Sequence, residues 1–319
     1  MIWLTWRQHR TTIIITSLLL AGMVAFIAIV GQQMHQEAQL LASSTCERPG
    51  GCPTIDDART IAITQFHTVT LSLLAVPALF GVFVGAPLVA REYEQQTYKT
   101  AWTQSISRNR WLVMQIALLF VGVLAVSGIL SALVDWADSA TQDQRYTTWA
   151  FDLSAIVPVS YAAFALALGI AAGALLQRTL PAIGVALAGY LAVRVPIASL
   201  LRVHYLPPLM TIQDLVNPQL QRSAGPNGDT DWFLETGFIQ GGHKYPGGIT
   251  SPSYCPDPTT LQQQQQWNVC MKAHGWSLYT IYQPADRFWL FQSIESAIFL
   301  GLAAALLALT IWWVRRRLV

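Results

Sequence analysis

The sequence predicts an all-α polytopic membrane protein with six transmembrane helices, and three observations carry that prediction. Of its 319 residues, 53% are hydrophobic and only 11% are charged, where soluble domains carry about 25% charged residues. The apolar residues fall into six blocks, each near the ~20 residues that a helix needs to cross a ~30 Å hydrocarbon core. The few cations are several-fold denser in the loops on one side of those blocks than on the other. This composition excludes an ordinary cytosolic enzyme and a disordered chain. A net charge of +2 supplies no basic field for nucleic acid. Long apolar runs without alternation exclude a β-barrel, which leaves helices as the structure that satisfies its backbone in lipid.

The first span covers 12–31. Arg7 and Arg10 precede it as in a signal peptide, but its apolar run exceeds the roughly 7–15 residues of a signal core and no small-x-small cleavage site follows. It reads as a retained anchor. An outer loop over 32–66 leads to the second span, 68–90, and a cytoplasmic loop joins this to the third, 111–134. A short outer loop, 136–150, precedes the fourth span, 153–176, and the fifth runs 180–201. Pro207-Pro208 then stops the helix, because proline removes a donor and crowds the preceding turn. The sixth span covers 288–314. Three regions result: 1–203 with spans one to five, an extracellular segment over 204–286, and 287–319 with span six. Pro77, Pro87, Pro158 and Pro196, in or near spans, mark kinks.

Six spans put both termini on one side. Arg7, Arg10, Arg91, Lys99, Arg108, Arg110, Arg178, Arg315, Arg316 and Arg317 lie there, ten of the nineteen Lys and Arg. They occupy loops of about 45 residues against about 140 on the other side, which makes the termini cytoplasmic. Trp312 and Trp313 supply an interfacial belt beside the last arginines.

All four cysteines (Cys46, Cys52, Cys255 and Cys270) fall on the outer side, where disulfides persist. The economical pairing is Cys46–Cys52 with Cys255–Cys270, among three possible connectivities. A zinc site with His243 or His274 lacks CxxC or HxxxH spacing, and no metal is assigned. The segment 204–286 holds Trp232, Phe233, Phe238, Trp267, Trp276, Tyr279 and Tyr282, enough aromatics for a small stapled core. Its Gln262–Gln266 run reads as a polar helical turn leading to Cys270.

Two ionisable residues lie within spans, where charge is costly. Arg194 is about 20 Å from the cytoplasmic edge and Glu295 about 10 Å from the outer edge, at 1.5 Å per residue. In a ~30 Å core those depths coincide, which pairs Arg194 with Glu295; otherwise Arg194 snorkels outward and Glu295 caps a shorter helix. Gly81-x-x-x-Gly85 in the second span and Gly169-x-x-x-Gly173 in the fourth permit close helix approach.

The loop between spans two and three carries the most specific pattern. It opens Arg91-Glu92-Tyr93-Glu94-Gln95-Gln96-Thr97-Tyr98, passes through Trp102, and ends Ser105-Ile106-Ser107-Arg108. Glu92 and Glu94 are the only acids on the cytoplasmic side. This pattern, with the opening Trp3-Leu4-Thr5-Trp6-Arg7-Gln8-His9-Arg10, resembles the permeases of type-2 ATP-binding-cassette (ABC) transporters, in particular their actinobacterial-type branch. The resemblance implies an ABC-2-type permease of the type V exporter-like architecture, working as a homodimer in the bacterial plasma membrane, in contact with lipid, with each copy docked on a cytoplasmic ABC ATPase. It also implies that 91–110 is the coupling loop, with Arg91 in its coupling set: Glu92 and Glu94 end the second span and face the ATPase, Thr97–Thr103 forms the coupling helix, and Tyr98 and Trp102 enter the ATPase cleft. Residues 1–10 would be an interfacial helix, and the second and fifth spans would line a cavity between copies. Ala101-Trp102-Thr103-Gln104 departs from the Leu-Leu-x-Thr-Pro type of many members.

No Gly-x-x-x-x-Gly-Lys-Ser/Thr loop, Gly-x-Ser-x-Gly elbow or His-Glu-x-x-His helix occurs. The chain is therefore expected to bind no cofactor itself, with ATP and Mg held by the partner ATPase, and to have no catalytic residue. The expected function is the permease subunit of an exporter for a hydrophobic or amphiphilic substrate such as a drug, antibiotic, lipid or peptide. The alternative is a non-transporting membrane sensor that uses 204–286 to bind a ligand.

Overall fold

Helices carry every apolar block. The computed structural model describes residues 2–43, 53–94, 108–140, 146, 148–216 and 230–317. Among them, five helices are long and apolar enough to cross a membrane: Ile63–Leu88, Ile116–Asp138, Val157–Leu176, Thr179–His204 and Ala285–Val314. The expected first span lies in α1 (Ile2–Ser43), about 63 Å long at 1.5 Å per residue. The stretch 1–10, which the resemblance implies is an interfacial helix, is helical from Ile2 and continuous with the rest of α1. No proline interrupts 2–43, so nothing in the sequence stops the helix. The first outer loop is narrower than expected, because α2 (Pro53–Leu73) begins well before the apolar block.

The chain divides into two compact units. One comprises Met1–Gln142, Phe151–Arg194 and Glu295–Val319; the other comprises Asp143–Ala150 and Val195–Ile294.

In the first unit the second span is built in pieces. Pro77 has no N–H to offer the preceding turn, and α2 ends at Leu73. Leu74 and Ala75 form a tight turn, their amides donating to Leu71 O and Ser72 O. Then α3 (Val76–Leu79) restarts the helix, a π-helical turn spans Phe80–Gly85, and α4 (Ala86–Glu94) completes it. The Ala86 amide donates to Gly81 O, the i→i−5 bond of the widened turn.

Facing it is α7 (Val157–Leu176), preceded by α5 (Arg108–Asp138) and the short α6 (Thr148–Leu153). Helix α7 is apolar on every side and buried on nearly every side, as such a helix must be. The two glycine motifs meet each other here. A Cβ at Gly81 would lie 2.4 Å from Ala165 O, one at Gly85 2.7 Å from Leu166 O, one at Gly169 2.1 Å from Gly81 O, and one at Gly173 2.5 Å from Ala86 O. Only glycine lets these backbones approach so closely, so the motifs join two spans of one copy. Ile116, Val123, Ala162, Leu166 and Ile170 extend this core, with Phe80 and Leu307 packed against it. At the end of α5, Asp135 accepts from the Ala155 amide at 2.9 Å and the Ser131 hydroxyl donates to Ala155 O at 2.8 Å. These bonds hold Ala155 at φ 56°.

The second unit corrects the all-α expectation. It contains a four-stranded antiparallel sheet, order β1-β4-β2-β3, from β1 (Leu209–Gln213), β2 (Trp232–Gln240), β3 (His243–Pro246) and β4 (Trp276–Gln283). The aromatic and β-branched residues of β2 and β4 favour a pleated, half-buried surface. Gly241 and Gly242, at φ 54° and 84°, make the two-residue turn between β2 and β3 that needs positive φ at both positions. The glutamine run falls in α9 (Leu261–Ala273), where Thr260 and Gln263 form a reciprocal capping box. Cys255, Met271 and Trp276 form a buried core with Phe238 and Trp267 around it. The Cys255 and Cys270 sulfurs lie within bonding distance and their Cα atoms are 5.9 Å apart, at the mode for a disulfide. His274 is also near these sulfurs, but its ring stacks on Tyr254 at 4.2 Å. Cys46 and Cys52 lie outside the described residues. The last helix, α10, runs Phe288–Arg317.

Candidate functional site

Two polar contacts in the first unit bring together residues far apart in sequence. One is a cluster among the spans. Helix α8 (Thr179–Pro196) carries Tyr190 and Arg194 one turn apart, on the same face. Arg194 Nη2 donates to Asp152 Oδ2 at 3.1 Å, while Nη1 donates to Leu74 O at 2.9 Å and lies 3.2 Å from Tyr190 Oη. Its guanidinium also lies 4.6 Å from the centre of the Tyr161 ring. The Tyr161 hydroxyl is 3.2 Å from Asp152 Oδ1 and also contacts Glu295 Oε1. Asp152, Tyr161, Tyr190 and Glu295 are all buried.

The sequence paired Arg194 with Glu295. Both belong to this cluster, but the carboxylate that meets Arg194 is that of Asp152, and Glu295 joins through Tyr161. With side-chain exposures of 12% and 4%, this is no surface ion pair; its desolvation is offset by acceptors at both terminal nitrogens and by the Tyr161 ring beside the guanidinium. The bond to Leu74 O has a separate effect. That carbonyl belongs to the turn at the break in the second span, and a neighbouring side chain supplies the donor that membrane helices need at such breaks.

The other contact lies at the end of α4. Glu94 accepts twice from Thr179, the first residue of α8: from its amide at 2.9 Å through Oε1 and from its hydroxyl at 2.7 Å through Oε2. The first amides of a helix lack intrahelical partners, and its N-terminus favours an anion. The Thr179 hydroxyl, and then its amide, hold the Glu94 carboxyl below its ordinary value; burial opposes them, and Arg178 and then Arg91 add smaller lowering effects. Below this contact Ala86, Ala172, Ala182 and Ala186 pack with Ile183.

Of the expected coupling residues, Arg91 is exposed on α4, Glu92 lies in the same helix, and Thr97, Tyr98 and Trp102 lie outside the described residues. The sequence reading missed Asp152, Tyr161, Tyr190 and Thr179. Each left a trace. Asp152 is a lone acid one position before a span, Tyr161 and Tyr190 are the single tyrosines of their apolar runs, and Thr179 directly precedes one.

In the second unit, Tyr279 is buried and donates to Glu235 Oε1. That bond, with desolvation, pushes its phenol up to about 12. Tyr146 stacks on Trp232 at 5.5 Å and meets Phe288 and Phe291 edge-on. These contacts read as packing.

Among known proteins, a family model described as ABC-2 membrane transporter related matches residues 17–202. No curated protein and no solved structure matches the chain.

Proposed function

This chain belongs to the ABC-2 membrane transporter related family, and from that premise we propose that it is the permease subunit of an ATP-driven exporter. It is a membrane-embedded, multi-pass subunit of a transporter rather than the transporter's ATPase. The proposed substrate is hydrophobic or amphiphilic and moves outward, with ATP and Mg bound and hydrolysed on a separate cytoplasmic ABC ATPase.

The observation that carries the reading is the build of the second span. It leads into the proposed coupling loop 91–110, it is locked to the fourth span by four facing glycines, and its last residue holds the start of the fifth. A displacement of the loop would therefore reach two further spans without passing through a flexible link.

In this reading α1 supplies the sixth span over 12–31, the cation distribution puts both termini in the cytoplasm, and two copies assemble in a bacterial plasma membrane. Arg91, Glu92, Glu94, Thr97, Tyr98 and Trp102 form the ATPase-coupling set. Cys255–Cys270 and Cys46–Cys52 are disulfides of the extracellular side.

The test is purification of the tagged chain with its co-expressed ATPase, followed by reconstitution into liposomes with a lipophilic fluorescent probe. Stoichiometric ATPase and ATP-dependent probe movement, both lost when 95–107 is replaced by a Gly/Ser linker, support the reading. A stable chain that binds no ATPase refutes it and favours a sensor.

A further inference from the structure

We infer that Thr179 is a positioning residue through which movement of the 95–107 segment is delivered directly to the fifth span. The inference rests on the transporter reading above and names a residue outside the coupling loop. Glu94 is the last residue of α4, so any force on 95–107 reaches it first. Its two carboxylate oxygens both engage Thr179, one through the amide and one through the hydroxyl. Two bonds to one residue fix direction as well as distance. Beneath the contact Ala86, Ala172, Ala182 and Ala186 form one buried cluster of small residues, which leaves room for it to form.

The same two spans meet again at the far end of α8, where Arg194 donates to Leu74 O. Thr179 and Arg194 are about 22 Å apart at 1.5 Å per residue. The second span thus holds the fifth at both ends, the outer contact falling at its own break at Leu74–Ala75. Helices α7 and α8 are joined by Gln177 and Arg178 alone, with Gln177 at φ 53°. A pull on Glu94 therefore moves the start of α8 with the second span.

The experiment compares wild type, Thr179→Val and Thr179→Ser, each reconstituted with the ATPase, and reads ATPase recovery, ATP hydrolysis and lipophilic probe moved per ATP. Valine keeps the shape of the side chain and the backbone amide but removes the hydroxyl. Thr179→Val should keep ATPase binding and hydrolysis while probe moved per ATP falls ~5-fold or more, the lower range of site-to-site coupling. Thr179→Ser should restore it. A wild-type ratio in Thr179→Val overturns the inference, and so does loss of ATPase binding, which would make the contact an assembly feature.

If the wild-type chain recruits no ATPase, the functional reading fails by itself, and the contact is judged on the permease alone by amide exchange. The first turn of α8 should exchange several-fold faster in Glu94→Ala than in wild type. Equal exchange shows that no such contact forms and overturns the inference in that case too.

Discussion

Substitution of Gly169 by alanine probes the packing that holds the second and fourth spans together. A Cβ at Gly169 would stand 2.1 Å from Gly81 O and 2.9 Å from both Ala86 N and Gly81 C. Every one of these atoms is backbone, so no side chain can rotate away, and ordinary contact begins only at 3.4 Å. The helices must part by more than an ångström. Overpacking of this kind costs about 1–3 kcal/mol, and a radial gap of 0.5–1 Å forfeits roughly a quarter to a half of each dispersion contact along the interface. Gly184 and Gly122 lie in spans where an added methyl group would meet nothing within 4 Å, so alanine there should gain up to about 1 kcal/mol of helix propensity. The propensity gain is common to both alanines, so Gly169→Ala should unfold about 1–3 kcal/mol less stably than Gly184→Ala. Denaturation in mixed micelles with increasing dodecyl sulfate, followed by tryptophan fluorescence, reads the difference. A Gly169→Ala midpoint at or above that of Gly184→Ala would refute the facing-glycine packing.

Removal of either partner of the buried ion pair, by Arg194→Gln or Asp152→Asn, should cost about 3–5 kcal/mol in the same titration. The double variant should lose less than the sum, and strict additivity would show that the two do not interact. Glu94 is held below its ordinary 4.5, so its bond to Thr179 is present above that value and is lost only as pH falls through the lowered one. Exchange protection at the start of α8 should thus persist at pH 4.5; loss by pH 5 would contradict the assignment. Cys255→Ser opens a connection spanning 15 residues and should destabilise the extracellular segment by about 3 kcal/mol in the chain-entropy model. Equal protease resistance of variant and wild type would argue against the disulfide.

The spans were legible because lipid imposes one simple demand, ~20 apolar residues without charge, and the blocks ending at Val134 and Leu176 meet it plainly. The glycine motifs were legible too, but not their partners. Which of Gly81, Gly85, Gly169 and Gly173 face each other depends on helix rotation, which a nearly uniform apolar sequence leaves open. The sheet was missed because β2 and β4 carry aromatics that serve a core in either secondary structure. Alternation alone does not separate them over nine and eight residues. Arg194 and Glu295 were found because charge in a span is rare. Asp152 was missed because it lies just beyond a span edge, where an acid is ordinary. Thr179 was missed for the same reason: a threonine at a helix start is common, and nothing local names Glu94 as its acceptor across 85 positions.

The central claim is that this chain is the membrane half of an ATP-driven transporter. Its most direct test is the purified complex in liposomes, with ATP supplied on the side of the termini and ATP hydrolysis and lipophilic probe movement recorded together. Coupled hydrolysis and outward movement that both require the 95–107 segment are expected. A chain that purifies alone, with neither activity above protein-free liposomes after co-expression with the ATPase, would contradict the claim.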